Sequence, residues 1–211
     1  MKFTRPLDDI LNTEVKVRIL RFLCRTGAEW NGSQIAKEIG ITPAATHTAL
    51  RILHREGLLQ LRNMGKTHVY SLKDDNFIVS GLLKPLFAKE DKALDTIIGI
   101  IKRSILSSRA NRAKKGIKSV ALFGSVNIRQ DRPTSDIDIA VVINNSKSKP
   151  AIERLFEDVD LRISRKFGNT LSPYINTQAE FKAKHKKGLG VIKNILKSHT
   201  LIYGEKLESL L

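Results

Sequence analysis

Hydrophobic residues in the first third of the chain recur at helical spacing. Within residues 13–25, Val15, Ile19, Phe22 and Leu23 fall on one side of a helix and basic residues on the other. The polar segment TGAEWNG then interrupts the pattern. This spacing predicts an amphipathic helix whose apolar side packs on a core.

Two more helices are predicted directly afterwards, with only a few residues between them. Ser33 is a suitable N-cap for the short helix SQIAKEIG, which Gly40 ends. Thr42 and Pro43 suit the N-cap and first position of the next helix, and Gly57 marks its end. Two helices joined in this way are typical of a helix-turn-helix.

A predicted β-hairpin follows the second of these helices. The segment LLQLRNMGKTHVYSL alternates apolar and polar residues around the turn residues 63–66. A helix-turn-helix followed by a hairpin resembles the winged-helix domains of bacterial and archaeal transcription regulators of the MarR and ArsR kind, over about residues 8–73. The resemblance implies a core containing Leu50, Leu53 and Leu58, and a recognition helix that begins at Pro43.

This resemblance also implies a set of residues that bind double-stranded DNA. Arginine can contact guanine or phosphate, threonine and histidine can bond base edges or backbone, and alanine fits against thymine methyl groups. Basic residues of the hairpin are expected to hold phosphates beside the groove. The expected DNA-binding residues are Ala44, Ala45, His47, Thr48 and Arg51 on the helix, and Arg62, Lys66 and His68 in the hairpin. Binding of a protein in place of DNA stays open.

Residues 76–113 form a predicted helical connector. Gly81 and Pro85 favour a break near Leu83. A broad apolar stripe comes after it, formed by Leu94, Ile97, Ile98, Ile101, Ile105 and Leu106. The stripe fits either an intramolecular core or a homodimer interface, and a two-fold dimer would suit a palindromic DNA site.

A run of basic residues leads into the last part of the chain. It consists of Lys102, Arg103, Arg109, Arg112, Lys114, Lys115 and Lys118. Such a run fits a phosphate-binding rim near the expected active site or an ordinary solvated linker, and the sequence leaves both open.

The segment from Ser119 to Ile143 places two aspartates at the head of an apolar strand. IKSVALFGSV is an apolar run that ends in Gly124 and Ser125, which predicts a buried strand and a tight turn. In SDIDIAVVI, the side-chain period of two puts Asp136 and Asp138 on the same face. Two close carboxylates repel unless a cation lies between them, and ligation by oxygen alone suits Mg²⁺. The glycine lets backbone approach a phosphate, to which the serine can donate.

Gly-Ser, nine residues and Ser-Asp-x-Asp together resemble the signature of the nucleotidyltransferase superfamily that includes DNA polymerase beta, and within it the minimal nucleotidyltransferases. The resemblance runs from about residue 114 to the segment LIYGEKL, where residues 201–203 look like the closing strand. It implies a mixed sheet with flanking helices, Mg²⁺ on Asp136 and Asp138, and phosphates held by Gly124 and Ser125. The implied reaction transfers a nucleoside monophosphate from a nucleoside triphosphate, ATP being the expected nucleotide, and releases pyrophosphate.

The sequence departs from this family in two places. A small residue, an arginine and a glycine often follow the Gly-Ser pair, whereas this chain has Asn127, Ile128 and Arg129. Arg129 is therefore expected to take over the basic function in nucleotide binding.

The second departure concerns a third carboxylate, which the family usually carries on the strand after the first long helix. That strand is expected in NTLSPYINT, which has no acid; Asp158 and Asp160 precede it, within a helix expected at residues 151–167, and Glu180 follows it. Two aspartates would hold one metal ion well and a second poorly. We therefore expect the protein to transfer the nucleotide slowly, or only when a partner protein supplies the missing group.

Charge and apolar content restrict the remaining choices. The net charge of +16 and a pI near 10.1 favour a polyanionic partner. No apolar run approaches the roughly 20 residues that cross a bilayer, so we expect a cytoplasmic protein without a membrane partner. Cys24, surrounded by apolar residues, is expected to pack in the core.

Together these patterns predict an α+β protein in three parts. Residues 1–75 form a winged-helix DNA-binding domain, residues 76–113 a helical connector, and residues 114–211 a nucleotidyltransferase-like domain. The leading hypothesis is a DNA-binding protein whose second domain binds Mg-nucleotide and transfers a nucleotide to a partner protein, as in toxin-antitoxin pairs. The alternative is a transcriptional regulator with a degenerate, nucleotide-sensing domain. RNA-directed nucleotide addition is a third hypothesis, for which the chain is short.

Overall fold

The computed structural model describes residues 4–211, which divide into two compact units. Within these residues, the first unit ends at Ala93 and the second is Leu94–Leu211. No helix within residues 4–211 is long and apolar enough to cross a membrane.

The first unit has five helices and a small sheet within its described residues. The helices are α1 (Pro6–Ile10), α2 (Glu14–Thr26), α3 (Gly32–Ile39), α4 (Pro43–Arg55) and α5 (Lys84–Asp91), with a π-helical turn at Val79–Leu83 before α5. The strands are β1 (Trp30–Asn31), β2 (Leu59–Met64) and β3 (Thr67–Leu72). The predicted helices and hairpin of this region are all present.

Helix ends in this unit follow the capping chemistry of the sequence, with one correction. The N-cap of α3 is Asn31 and not Ser33, because Gln34 three residues later completes a capping box with Asn31. Gly40 ends α3 in the left-handed conformation, with φ of 67°. Thr42 and Pro43 begin α4 as predicted, although the Thr42 side chain makes no capping hydrogen bond.

The hairpin of β2 and β3 gains a third strand that the sequence pattern did not indicate. The strands lie in the order β1-β3-β2, all antiparallel, with Trp30 opposite Tyr70. Leu50, Leu53 and Leu58 are buried beneath this sheet in the core shared with α2 and α3. The three helices and the sheet form a winged helix.

The segment predicted as a connector is divided between the two units. Ile78, Val79, Leu83 and Phe87 are buried in the core of the first unit. The apolar stripe on the next helix packs into the core of the second unit, through Ile97, Ile101 and Ile105. These three residues therefore belong to an intramolecular core, while Leu106 is exposed.

The second unit is a mixed four-stranded sheet with helices on both faces, as the fold class predicted. Its helices are α6 (Ala93–Leu106), α7 (Asn111–Gly116), α8 (Gly124–Asn127), α9 (Lys149–Phe167), α10 (Gln178–Lys186) and α11 (Gly190–Lys197). Its strands are β4 (Ile117–Leu122), β5 (Ile137–Ile143), β6 (Leu171–Thr177) and β7 (Thr200–Gly204). The order is β6-β5-β4-β7, in which only β5 and β6 are parallel.

Each face of this sheet has its own apolar core. Ile137, Ile139, Val141 and Ile143 of β5 pack on the side of α6, α7 and α9. Ala140 and Val142 pack on the opposite side, with Phe181 of α10 and residues of α11. Because side chains alternate along a strand, Asp138 belongs to the α10 and α11 side.

Candidate functional site

The two aspartates lie where β5 begins. Asp136 directly precedes the strand and is exposed, whereas Asp138 is its second residue and is half-buried. Neither carboxylate forms a hydrogen bond or ion pair with another residue of the described chain. Partial burial raises the pKa of Asp138, and the negative charge of Asp136 raises it further. An unpaired pair of this kind is suited to holding a divalent cation.

Gly124 brings the turn after β4 against the second aspartate. It adopts φ of 76°, and a Cβ atom at this position would collide with the Asp138 carboxylate. The backbone N–H of Phe123 donates to the carbonyl of Asp138 at 3.0 Å, which fixes the turn beside β5. The Gly-Ser turn and the carboxylates, eleven or more residues apart in sequence, are therefore adjacent in space.

Two asparagines hold the loops around this turn. Asn127 donates to Ser198 Oγ at 3.1 Å and accepts from Thr200 Oγ1 at 2.7 Å, which ties α8 to the start of β7. Asn169 donates to the Ser135 carbonyl at 3.0 Å and thus anchors the residue before Asp136. Sequence reasoning missed both roles, because neither asparagine carries a signal beyond its turn propensity.

The predicted nucleotide-binding residues of the turn differ in their surroundings. Ser125 is half-buried, and its carbonyl accepts from the Gln130 N–H at 2.9 Å. Arg129 is exposed and adopts φ of 55°, a left-handed conformation that places it at the end of the turn following α8. Its side chain makes no hydrogen bond or ion pair within residues 4–211.

No third carboxylate joins the pair. Residues 4–211 contain no group of three or more His, Cys, Asp or Glu side chains that could hold a metal ion. Strand β6 is free of acids, as expected. Asp160 of α9 accepts from the Leu171 N–H at 2.7 Å, so it caps the start of β6. Glu180 accepts from the Thr177 N–H at 2.7 Å and belongs to the capping box of α10.

The predicted DNA-binding residues of α4 are mostly on its surface. Ala44, His47, Thr48 and Arg51 are exposed, and Ala45 is half-buried. Thr48 Oγ1 donates to the Ala44 carbonyl at 3.0 Å. His47 leans on the start of α3, since a Cβ atom on Gly32 would collide with its ring. Arg51 is therefore the cation that this face of α4 offers most freely.

The predicted DNA-binding residues of the hairpin are exposed, and some of them already have partners within the protein. Arg62 forms an ion pair with Glu29, and its Nη2 atom also lies 3.8 Å from the sulfur of Met64. His68 Nδ1 lies 2.8 Å from Asn63 Oδ1 across the hairpin. Lys66 lies in the turn between β2 and β3. An anion at the hairpin would meet Lys66 first, because Arg62 already has a carboxylate partner.

Two family models match the chain, one in each unit. Residues 15–62 match the IclR helix-turn-helix domain, and residues 108–208 match "Polymerase beta, Nucleotidyltransferase". The chain thus combines a region similar to helix-turn-helix domains with a region similar to nucleotidyltransferase domains. The predicted combination is confirmed, although the matching helix-turn-helix model is of the IclR kind. No curated protein matches the chain.

Several solved structures are similar to part of the chain. Reduced HlyU from Vibrio cholerae N16961 is 21% identical, with a TM-score of 0.35 over 40% of this chain and 84% of HlyU. The transcriptional repressor BigR from Xylella fastidiosa is 20% identical, with the same TM-score over 40% of this chain and 82% of BigR. The homodimeric winged helix-turn-helix DNA-binding domain of Mb0332 from Mycobacterium bovis, a possible ArsR-family regulator, is 21% identical, with a TM-score of 0.35 over 42% and 79% of the two chains.

Proposed function

We propose that this protein is an operator-binding regulator whose second unit binds a magnesium-bound nucleoside triphosphate. The observation that carries the nucleotide part is the contact between the Gly124 turn and the Asp138 carboxylate. The DNA part is supported by the exposed face of α4, in a domain of the helix-turn-helix class.

In the DNA-binding part, α4 is proposed to enter the major groove. Arg51 would contact a guanine or a phosphate, and Thr48 and the two alanines would lie on neighbouring bases. Lys66 and His68 would hold phosphates at the side of the groove. His47, which leans on Gly32, is better placed to contact the backbone than a base.

DNA binding by α4 is tested with duplexes that the full-length protein selects from a random pool. Arg51→Ala should weaken binding to the selected duplex by about 10-fold to 100-fold, because one arginine contact contributes about 1–3 kcal/mol. Lys89→Ala removes the same charge from an exposed position of α5 in the same unit and is the matched control. An equal loss in both variants would refute the assignment of α4.

In the nucleotide-binding part, Asp136 and Asp138 would hold Mg²⁺, and Gly124, Ser125 and Arg129 would hold phosphates. The two carboxylates fit this ion, because they are oxygen ligands without hydrogen-bond partners and lie on one side of a strand. The remaining coordination positions of Mg²⁺ stay available for water and phosphate oxygens. When bound, the ion would neutralise the triphosphate charge. Gly124 lets the backbone approach a phosphate, and the Ser125 hydroxyl can donate to it.

Transfer to an acceptor is a separate question from binding. In the proposed reaction, an acceptor oxygen bonds to the α-phosphorus, the α–β phosphoanhydride bond breaks and pyrophosphate leaves. The acceptor hydroxyl must also lose its proton, and a third carboxylate for that task is absent beside the pair in residues 4–211. We therefore expect negligible transfer by the chain alone, and transfer to a partner protein only where that partner supplies the missing group.

Nucleotide binding is tested by calorimetry of ATP, GTP, CTP and UTP, with and without Mg²⁺. We expect Mg²⁺-dependent binding that Asp136→Asn/Asp138→Asn abolishes. Glu153→Gln/Glu157→Gln removes two charges from exposed positions of α9 and should bind as the wild type does. Unchanged affinity in the double-aspartate variant would refute the site.

The alternative, a nucleotide sensor without catalysis, is favoured by the same missing carboxylate. Incubation with α-³²P-labelled triphosphate and a cell lysate distinguishes the two, because a transferase leaves label on a protein or nucleic acid. A sensor leaves no label, and its operator affinity changes when Mg-nucleotide is added. A labelled protein encoded beside this one would support the toxin-antitoxin hypothesis.

A further inference from the structure

A basic trough runs along the second unit, on the other side of the sheet from the two aspartates. It lies between α9 on one side and the segment from α6 to α7 on the other, with a volume of about 770 Å³. We call it the basic trough. The cations that line it are Arg103, Arg109, Arg112, Arg154, Arg162 and Lys166. Asp158 is the one acid among the lining residues, and none of the proposed nucleotide-binding residues contributes to it.

The cations of the trough lack acidic partners. None of the six forms an ion pair within residues 4–211, and Asp158 pairs with neither Arg154 nor Arg162, although it lies one helical turn from each. In the first unit, by contrast, Arg21 is paired with Glu90 and Arg25 with Asp91. Arg162 has a single polar contact, from Nη1 to Ser104 Oγ at 3.5 Å. Six exposed cations around one depression repel each other, so a bound polyanion would relieve the repulsion.

The shape of the trough restricts the kind of polyanion. Its lining residues on α9 extend from Ala151 to Lys166, which corresponds to about 22 Å along the helix. A depression of about 770 Å³ along that length can hold one extended chain but is too small to enclose a duplex. A free triphosphate would meet only part of such a long row of charges.

The chemistry of the lining favours phosphate groups. Five of the six cations are arginines, whose planar guanidinium groups match the oxygens of a phosphate. Ser104, Ser107 and Ser108 add hydroxyl groups between them. Ile100 and Leu155 provide apolar surface. From this combination we propose that the basic trough binds single-stranded nucleic acid through its phosphate backbone.

The trough should bind different base sequences alike. No aromatic side chain is among the lining residues that the structure describes, so bases have no surface on which to stack. Affinity then depends on phosphate contacts and falls steeply with salt. Oligo(dT) and oligo(dA) are expected to bind with affinities within about three-fold of each other.

The test is fluorescence anisotropy of a labelled 12-residue oligo(dT) with the full-length protein between 50 and 200 mM NaCl. Arg154→Ala/Arg162→Ala should weaken binding at least ten-fold at 100 mM NaCl. It should also reduce the slope of log K against log [salt] by about 1.4, because each phosphate contact on a single strand contributes about 0.7. The first unit contributes equally in every variant, because no change lies within residues 4–93.

The matched control is Lys186→Ala/Lys187→Ala, which removes two exposed charges at the end of α10, on the other face of the sheet. Circular dichroism and thermal melting establish that both variants fold. Equal losses in the two variants would overturn the proposal, since overall charge alone would then explain binding. It would also be overturned if tripolyphosphate or polyglutamate, at equal charge concentration, displaced oligo(dT) as well as unlabelled oligo(dT) does.

Discussion

At the residue scale, the proposed nucleotide site depends on a glycine that touches a carboxylate. Gly124 and Gly168 have similar left-handed φ values of 76° and 80°. A Cβ atom added to Gly124 would collide with Asp138, whereas one added to Gly168 would have no atom within 4 Å. Gly168→Ala should therefore destabilise the protein by about 1–2 kcal/mol through backbone strain alone, and Gly124→Ala by more. Urea denaturation measures both. Gly124→Ala/Asp138→Ala should recover most of the extra loss, because only the Cβ atom of residue 138, at 3.2 Å, then remains close. Equal losses in the two single variants would contradict the contact.

The single cysteine offers a second test at this scale. Partial burial against the first core raises the pKa of Cys24 to about 11, in spite of the nearby charge of Lys84. The thiolate is the reactive form, and only about 0.1% of the thiol is ionised at pH 8, so the reaction is slow. The rate of reaction with a disulfide reagent should still rise about ten-fold per pH unit between pH 8 and 10. A rate that levels off near pH 8.5 would contradict this, and the urea-unfolded protein is the control.

At the scale of elements, the two capping boxes differ in charge and should differ in their response to pH. The hydrogen bond from the Thr177 N–H is the main cause that lowers the pKa of Glu180, and the hydrogen bond with the Thr177 side chain is the second. Gln34, at the same position in the capping box of α3, has no titratable group. The contribution of Glu180 to stability is complete above its ordinary pKa of 4.5 and is lost as pH falls through the lowered value.

Urea denaturation at pH 7 and pH 3 tests this difference. Glu180→Ala should cost about 1 kcal/mol at pH 7 and clearly less at pH 3. Gln34→Ala should cost a similar amount at both values of pH. A cost of Glu180→Ala that does not change on acidification would contradict the role of its charge.

Element boundaries show what could be predicted from local sequence. The periodicity and the turn residues predicted the helices, the hairpin and the two strands that carry the Gly-Ser turn and the aspartates, because these signals act within a few residues. Asn31 and Ser33 are both good caps, and the choice between them depended on Gln34. The sequence marks Arg103, Arg109 and Arg112 as part of one basic run. It does not reveal the basic trough, because only the packing of α6 with α9 brings Arg103 and Arg162 to the same depression.

At the scale of the whole molecule, the sequence indicated two domains but not where one ends. The predicted boundaries at residues 75 and 114 follow motif limits, whereas the two compact units meet at Ala93 and Leu94. Helical spacing identifies an apolar stripe but does not say which core it enters. The described structure divides the connector because Val79 and Phe87 complete one core and Ile101 and Ile105 the other.

Fragments of the chain test this division. Residues 1–93 should unfold cooperatively in urea, with circular dichroism as the readout. Residues 1–75 should lose that transition, because they lack four buried side chains of the first core, each contributing about 1.5–3 kcal/mol. That loss is comparable to the whole stability of a small domain. The same comparison applies to the second core. Residues 94–211 should unfold cooperatively, and residues 114–211 should be less stable because they lack Ile97, Ile101 and Ile105. A fragment of residues 1–75 as stable as residues 1–93 would show that residues 76–93 do not belong to the first core in solution.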